Sequence, residues 1–402
     1  MTHPIVHNYT DAGLPMGCVV IDSTLRARAH GGLRMSSTVD EPELRDLARS
    51  MTLKYGYLRQ PFGGAKAGVR ADPEAPPEER RERLARFAEA AAPLLRSRAY
   101  VPAPDMGTDV DDIRLVLRSA GVPVSPRQLR VSRSGYYTAV TTFCSLQEAA
   151  VIAGVTLKGA RATIEGFGKV GSALAGLLAA AGVRVVAIST SRGALYDPSG
   201  LDIERLTALA TSSGSIVVQR YQDAQSLPAN ALPTLPADVL LPCAGYHSID
   251  AAVATHIHAR IVCSGANNSL TSDAELDLLR RGVVVVPDFV ANCGGVLGSV
   301  LEFASIGTPE IESTLRLHTQ THVGRILSSA RKQAVSPRQV AETLAMRRFQ
   351  TMADGGRSGG AARVFEFGMS LYRKGLVPAS LFAALARPAL HRRLAWQESD
   401  GD

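Results

Sequence analysis

Two lysines carry the first chemical signal in this sequence. Lysine is scarce: Lys54, Lys66, Lys158, Lys169, Lys332 and Lys374 are the whole set in 402 residues. Lys54 and Lys66 stand twelve residues apart, in the segments MTLK and FGGAKAG. Two ammonium groups held close in a cleft repel, so at least one gives up its proton more readily and can act as a base near neutral pH. The glycines around Lys66 let backbone and ligand approach. A carboxylate follows on a stiff, proline-flanked loop, Asp105 in PAPDMGTD. Taken singly, Lys54 also fits a solvated helix position and Asp105 a turn acid. Together they supply a fixed cation, a base and an acid, the parts of proton-transfer chemistry.

A second constellation lies further on. Gly166-Phe167-Gly168-Lys169-Val170-Gly171 fits G-x-G-x-x-G, a weak signal alone in a chain with 36 glycines. Its context is specific: the strand ARATIE precedes it, the helix SALAGLLAAAG follows, and the strand VRVVAIS comes next. The first glycine permits a tight turn, the second lets a pyrophosphate approach the backbone, and the third lets helix and strand pack closely. The helix N-terminus then offers N–H groups to phosphate. Where an acid would take the ribose 2′-hydroxyl of NAD, the next strand ends in Ser189, Thr190, Ser191 and Arg192. Hydroxyls followed by arginine suit a 2′-phosphate, a slight lean towards NADP over NAD.

The elements that must position these residues follow from periodicity. Met16–Ile21 reads as a strand and Gly31-Gly32 as a turn after it. Helices are expected over Glu41–Gln60, with Leu44, Leu47, Met51, Tyr55 and Leu58 at helical spacing, and over Pro77–Leu95. From about residue 155, five apolar runs alternate with helical stretches: Ala160–Glu165, Val183–Ser189, Asp238–Leu241, Ala259–Val262 and Val283–Val286. That alternation predicts a parallel sheet with crossover helices. The polar stretch Arg127–Ser134 marks a hinge, Gly355–Gly360 a flexible break, and the closing WQESDGD a frayed end. The domains expected are 1–132 for substrate binding and oligomerisation, 133–336 for a dinucleotide, and 337–402 as helices packing back on the first.

Composition narrows the classes further. A hydrophobic content of 46% and charged content of 20% describe a globular chain. The formal charge of +7 comes from scattered arginine, and with aromatics at 5% there is no nucleic-acid footprint. No apolar run spans a membrane and no secretory signal is visible at the N-terminus, so no membrane partner and a cytoplasmic location are expected. Five cysteines without a C-x-x-C pair read as reduced thiols. His256 and His258 alternate in THIHARI without an acidic or thiol partner, so no metal is expected.

The motifs taken in order resemble the glutamate/leucine/phenylalanine/valine dehydrogenases. MTLK, GGAKAG, PAPDMGTD, EGFGKVG, SRGALYDPSGLD, GANNSL and PDFVANCGGV carry the likeness, over about Gly31 to Phe303, roughly two thirds of the chain. The resemblance implies an N-terminal α/β domain, a Rossmann domain and an active site in the cleft between them. It implies a homo-oligomer acting on an amino acid, or on a 2-oxo acid and ammonia, with NAD or NADP. By position, Lys54 would bind the substrate α-carboxylate beside Gly31 and Gly32. Lys66 would handle the water that attacks the imino acid, and Asp105 would move protons to and from the substrate nitrogen. Asn267 and Asn292 would orient the nicotinamide carboxamide and the substrate carboxylate, and Ser134 would stand near the nicotinamide. His30, Val296 and Ser299 complete the substrate set.

The departures bear on substrate. Glutamate enzymes of this family carry a lysine where His30 stands, and leucine and phenylalanine enzymes an apolar residue. Tyr137 occupies the place of a small glycine, expected to narrow the cleft. The reading is oxidative deamination of an amino acid other than glutamate. The rivals are a reductase for a specialised imine or amino acid, and a catalytically silent nucleotide-binding relative.

Overall fold

The computed structural model describes residues 3–125, 129, 131–355, 368–369, 371–395 and 397. The described chain divides into two units, Met1–Ser132 with 303–305 and 343–394, and Arg133–Glu302 with 306–342 and 395–402. Of the expected hinge, Arg127, Gln128 and Arg130 lie outside the described residues, as do the break beyond Gly355 and most of WQESDGD.

The first unit is built on five strands: β1 (Ile5–Asp11), β2 (Leu14–Ile21), β3 (Ala29–Met35), β4 (Gly63–Val69) and β5 (Tyr100–Pro104). Their order is β1-β2-β4-β3-β5, antiparallel as far as β4 and parallel beyond it. β1 and β2 join through Ala12-Gly13, both at positive φ (49° and 81°), the two-residue turn whose twist suits a hairpin. Side chains alternate across the sheet. Val19, Ile21, Leu33, Met35, Ala65, Ala67 and Val69 face a core with Leu84, Phe87, Ile113 and Val116. Cys18 and Val20 face the other way, with Leu44 and Ala48 of helix Glu41–Tyr57. Asp40 caps that helix by accepting from the Glu43 amide.

Three expectations need correction here. Gly31-Gly32 is not a turn but the middle of β3. Pro102-Ala103-Pro104 belongs to the end of β5, where its prolines are tolerated because it is an edge strand, while Asp105 stands on the loop that follows, and Gly63–Val69 forms β4. The helix expected over Pro77–Leu95 breaks at Ala91 into Pro77–Ala90 and Ala92–Ser97.

The second unit carries seven strands: β6 (Arg161–Glu165), β7 (Arg184–Thr190), β8 (Gly193–Tyr196), β9 (Gln225–Leu227), β10 (Val239–Pro242), β11 (Ile261–Cys263) and β12 (Val284–Val286). The order is β12-β11-β10-β6-β7-β8-β9, parallel from β12 to β7 and antiparallel at β8 and β9. All five expected parallel strands are present within two residues of their bounds. The connection order reverses between β6 and β10, which makes the carboxyl ends of these two strands the crevice where a dinucleotide binds in such sheets. Among the described residues no helix is long and apolar enough to cross a membrane.

Candidate active site

Alternation explains how the first unit assembles its polar cluster. Ala65 and Ala67 face the apolar core, so Lys66 between them faces helix Glu41–Tyr57, the helix that carries Lys54. By the same rule His30, Gly32 and Arg34 share that face of β3. Glycine makes the approach possible. A Cβ on Gly64 would lie 2.2 Å from the Thr52 amide, and one on Gly68 2.8 Å from Val39. These two glycines therefore admit the helix and the segment leading into it rather than a ligand. Gly32 differs: its Cβ would lie 2.7 Å from Asp105 Cβ and 3.2 Å from Lys66 Nζ. It is the floor beneath the charged pair.

That pair is close and shielded. Lys66 Nζ lies 2.7 Å from Asp105 Oδ2, with the lysine 2% exposed. Arg34 donates from Nε to the same oxygen at 3.1 Å and pairs with Glu43 through Nη1. Thr108 fixes the loop by accepting from the Asp105 amide at 3.0 Å and donating to Leu33 O at 2.7 Å. Burial pushes the Lys66 ammonium below the ordinary lysine range against the pull of Asp105, with Arg34 adding to the push. Repulsion from Lys54, the cause expected from the spacing, is not among the main causes. Burial alone would raise the Asp105 carboxyl, but Lys66 and Arg34 outweigh it and hold it below the carboxylate range. Lys54 is buried in the last turn of its helix.

His30 sits among rings. Its Nδ1 shares a hydrogen bond of 2.5 Å with the Tyr55 hydroxyl. The Tyr55 and Phe62 rings lie 5.8 and 5.5 Å from the imidazole. Burial lowers its pKa to about 4, so the ring is neutral at and above neutral pH.

In the second unit the glycine turn has the form a dinucleotide requires. Gly166 adopts φ +92°, and a Cβ there would meet Ala244 Cα at 2.7 Å. A Cβ on Gly171 would strike Gly166 O at 1.9 Å, so this glycine serves the contact of helix Lys169–Ala180 with β6. Gly168 has no such internal reason, since a Cβ there meets no described atom within 4 Å. That leaves room for a phosphate to approach, above a helix start that no side chain of the described residues caps. Phe167, Lys169 and Val170 complete the turn. Thr190 ends β7 and pairs with Gly193, leaving Ser191 and Arg192 exposed at the hairpin tip. The Thr190 hydroxyl is already committed, donating to Ser215 O at 2.7 Å and accepting from the Arg192 amide at 3.1 Å.

Two further groups meet near this turn. A Cβ on Gly135 would lie 2.9 Å from Lys169 Cβ, and one on Gly295 would lie 3.3 Å from Ser134 O. Ser134, at the start of helix Ser134–Ala153, is thus drawn towards the segment with Val296. Asn292 donates from Nδ2 to Asn267 Oδ1 at 2.9 Å and to Ala266 O at 3.0 Å. Its Oδ1 is buried without a partner among the described residues. Ser299 donates back to Gly295 O at 2.7 Å, along its own helix. Tyr137 does not line an opening: it is fully buried against Gly298, with its hydroxyl donating to Glu302 at 2.9 Å.

Arg34, Tyr55 and Phe62 were not in the expected site. The alternation of β3 was the available signal for Arg34, two residues beyond Gly32. Among the described residues no group of three His, Cys, Asp or Glu could hold a metal.

Comparison with known proteins places these features. A family model described as Glutamate/Leucine/Phenylalanine/Valine dehydrogenase matches residues 133–356. One described as Glu/Leu/Phe/Val dehydrogenase, dimerisation domain, matches residues 3–120. Glutamate dehydrogenase A2 of Halobacterium salinarum is 36% identical over 289 residues, 68% of this chain and 68% of the relative. A catabolic NAD-specific glutamate dehydrogenase of Bacillus subtilis is 35% identical over 286 residues, 68% of this chain and 66% of the relative. Among solved structures, the leucine-bound hetero-hexameric glutamate dehydrogenase of Thermus thermophilus is similar with a TM-score of 0.74 at 26% identity, covering 89% of this chain and 90% of that one.

Proposed function

The chain belongs to the glutamate/leucine/phenylalanine/valine dehydrogenase family, and on that footing we propose that it oxidises an L-amino acid with an uncharged side chain. The reaction returns the 2-oxo acid and ammonium, or runs in reverse. When bound, NAD(P) supplies the hydride acceptor at the substrate Cα. Lys54 holds the α-carboxylate. Asp105, kept ionised by Lys66 and Arg34, takes a proton from the substrate ammonium group. Lys66, whose proton burial loosens, releases it to solvent and in its neutral form takes one from the water that adds to the imino carbon. Asp105 returns its proton to the carbinolamine nitrogen, and as the C–N bond breaks the hydroxyl proton leaves with the ammonia, giving the 2-oxo acid and ammonium. Asn267 and Asn292 orient the nicotinamide carboxamide and the substrate carboxylate, and Ser191 and Arg192 favour a 2′-phosphate and hence NADP. Assembly of identical chains through the first unit belongs to the same proposal; it is supported by the dimerisation-domain match and checked by a light-scattering mass above the 42.6 kDa of one chain.

The observation that carries the substrate class is His30. All three similar proteins named above carry glutamate in their names, yet burying a distal carboxylate against an uncharged imidazole costs several kcal/mol. Arg34 offers no ready replacement, because Glu43 and Asp105 already take its guanidinium. Tyr55 and Phe62 around the imidazole favour an apolar or aromatic side chain instead. His30→Lys should therefore raise kcat/KM for glutamate relative to leucine or phenylalanine by about tenfold or more, the worth of a charge-assisted pair. An unchanged ratio in that variant removes the reading.

A further inference from the structure

Asp288 is 3% exposed and ties together the two segments that carry the asparagines. Its Oδ2 accepts from the Asn268 amide at 2.8 Å, holding a turn in which Asn268 takes φ +49°. On its other side the short helix Asp288–Ala291 closes with the Asn292 amide donating to Asp288 O at 2.8 Å. Asn292 in turn reaches back to Ala266 O and Asn267 Oδ1. What holds Asp288 is Arg338, at the start of helix Pro337–Gly355. It donates from Nη2 to Asp288 Oδ1 at 2.9 Å and from Nε to Glu275 Oε2 at 2.7 Å. A guanidinium fork between two buried carboxylates fixes direction as well as distance, which an ammonium on a flexible stem does not.

We propose that Arg338 is a positioning residue for the cofactor: through Asp288 it sets the Asn267–Asn292 amide pair and aims the Asn292 Oδ1 at the N–H of the nicotinamide carboxamide. This rests on reading the two asparagines as carboxamide contacts. Arg338 touches neither cofactor nor substrate, so its effect is confined to the nicotinamide end. The adenosine end, held by the glycine turn, does not depend on it.

The test compares NADP and NAD with their 3-acetylpyridine analogues, in which the carboxamide N–H is missing. The readout is the ratio of kcat/KM for each cofactor to that of its analogue, which cancels changes common to both. In Asn292→Ala the ratio should fall roughly tenfold, the worth of one hydrogen bond to a buried group. In Arg338→Lys, which keeps the charge but loses the fork, it should fall by a comparable factor. Affinity for ADP-ribose or its 2′-phosphate, which lack the nicotinamide, should stay within about twofold of the parent. Asp288→Asn keeps the volume and removes the ion pair from the other side, so it should lower the ratio in the same direction if Arg338→Lys folds poorly. An unchanged ratio in Asn292→Ala removes the carboxamide reading and this inference with it. A fall in Asn292→Ala with no change in Arg338→Lys or Asp288→Asn overturns the inference alone. So does a loss of ADP-ribose affinity and Tm in step with the ratio, which would make Arg338 a stability residue only.

Discussion

Lys66→Met should lower kcat for amino-acid oxidation by roughly 10²–10⁴, the usual cost of losing a positioned acid–base group. Methionine keeps most of the volume at a site 2% exposed, so the loss is of chemistry rather than of packing. Arg34 still neutralises Asp105 in the variant, and no buried carboxylate is left without a cation. Binding of NAD(P)H, followed by its fluorescence, should be unchanged, because the glycine turn belongs to the second unit. The parent enzyme should show kcat/KM rising with pH along a limb that lies below the ordinary lysine pKa of about 10.4, since burial lowers that of Lys66. The residual rate of the variant should lack that limb. A variant retaining near-parental turnover, or the same limb, would mean that another group handles the water.

Gly31→Ala and Gly32→Ala should fail in different ways, although the positions are neighbours. At Gly31 the new methyl would lie 1.6 Å from Ala65 O, a backbone atom of the adjacent strand that cannot move without breaking the sheet. The expected result is a loss of stability of about 3 kcal/mol or more, at the upper end of overpacking, read from urea unfolding. At Gly32 the nearest atoms are the side chains of Asp105 and Lys66, at 2.7 and 3.2 Å. These can shift, so Gly32→Ala should fold while displacing the pair from the substrate. A misplacement of about 1 Å costs on the order of 10²-fold in rate. Equal losses of stability in the two variants, or a fully active Gly32→Ala, would contradict the placement of Gly32 beneath the pair.

The two units differ in how openly the sequence declares them. In the second, β-branched runs alternate with helices, and Gly166 and Gly171 answer to a turn and a packing contact, with Gly168 left open for the proposed phosphate. Local pattern and tertiary role agree there, and the strand bounds follow. In the first, β3, β4 and β5 are written as AHGGLRM, GGAKAGV and YVPAP, poor in the residues that favour strands. Tertiary packing overrides propensity: small residues are used because a helix and a neighbouring strand press directly on the backbone. The proposed catalytic residues Lys66 and Asp105, with Lys54 proposed for the substrate carboxylate, could be named from residue type and motif order, and the structure pairs the first two. The cause of the Lys66 shift was not, because it depends on burial rather than spacing. Arg338, and the pairing of Arg34 with Asp105, escaped notice because the partners lie far along the chain, Asp105 at 71 residues from Arg34 and Asp288 at 50 from Arg338. Arginine is also too common here for one position to stand out.

The most direct measurement is the initial rate of NAD(P)H formation at 340 nm, with each of the common L-amino acids and with NADP and NAD separately, near pH 9, where an imidazole of pKa about 4 carries no charge. An uncharged, apolar or aromatic amino acid should give the highest kcat/KM, glutamate should be poor, and NADP should be preferred to NAD. Glutamate as the best substrate of the unmodified enzyme would contradict the role given to His30, and no turnover with any amino acid would contradict the dehydrogenase reading itself.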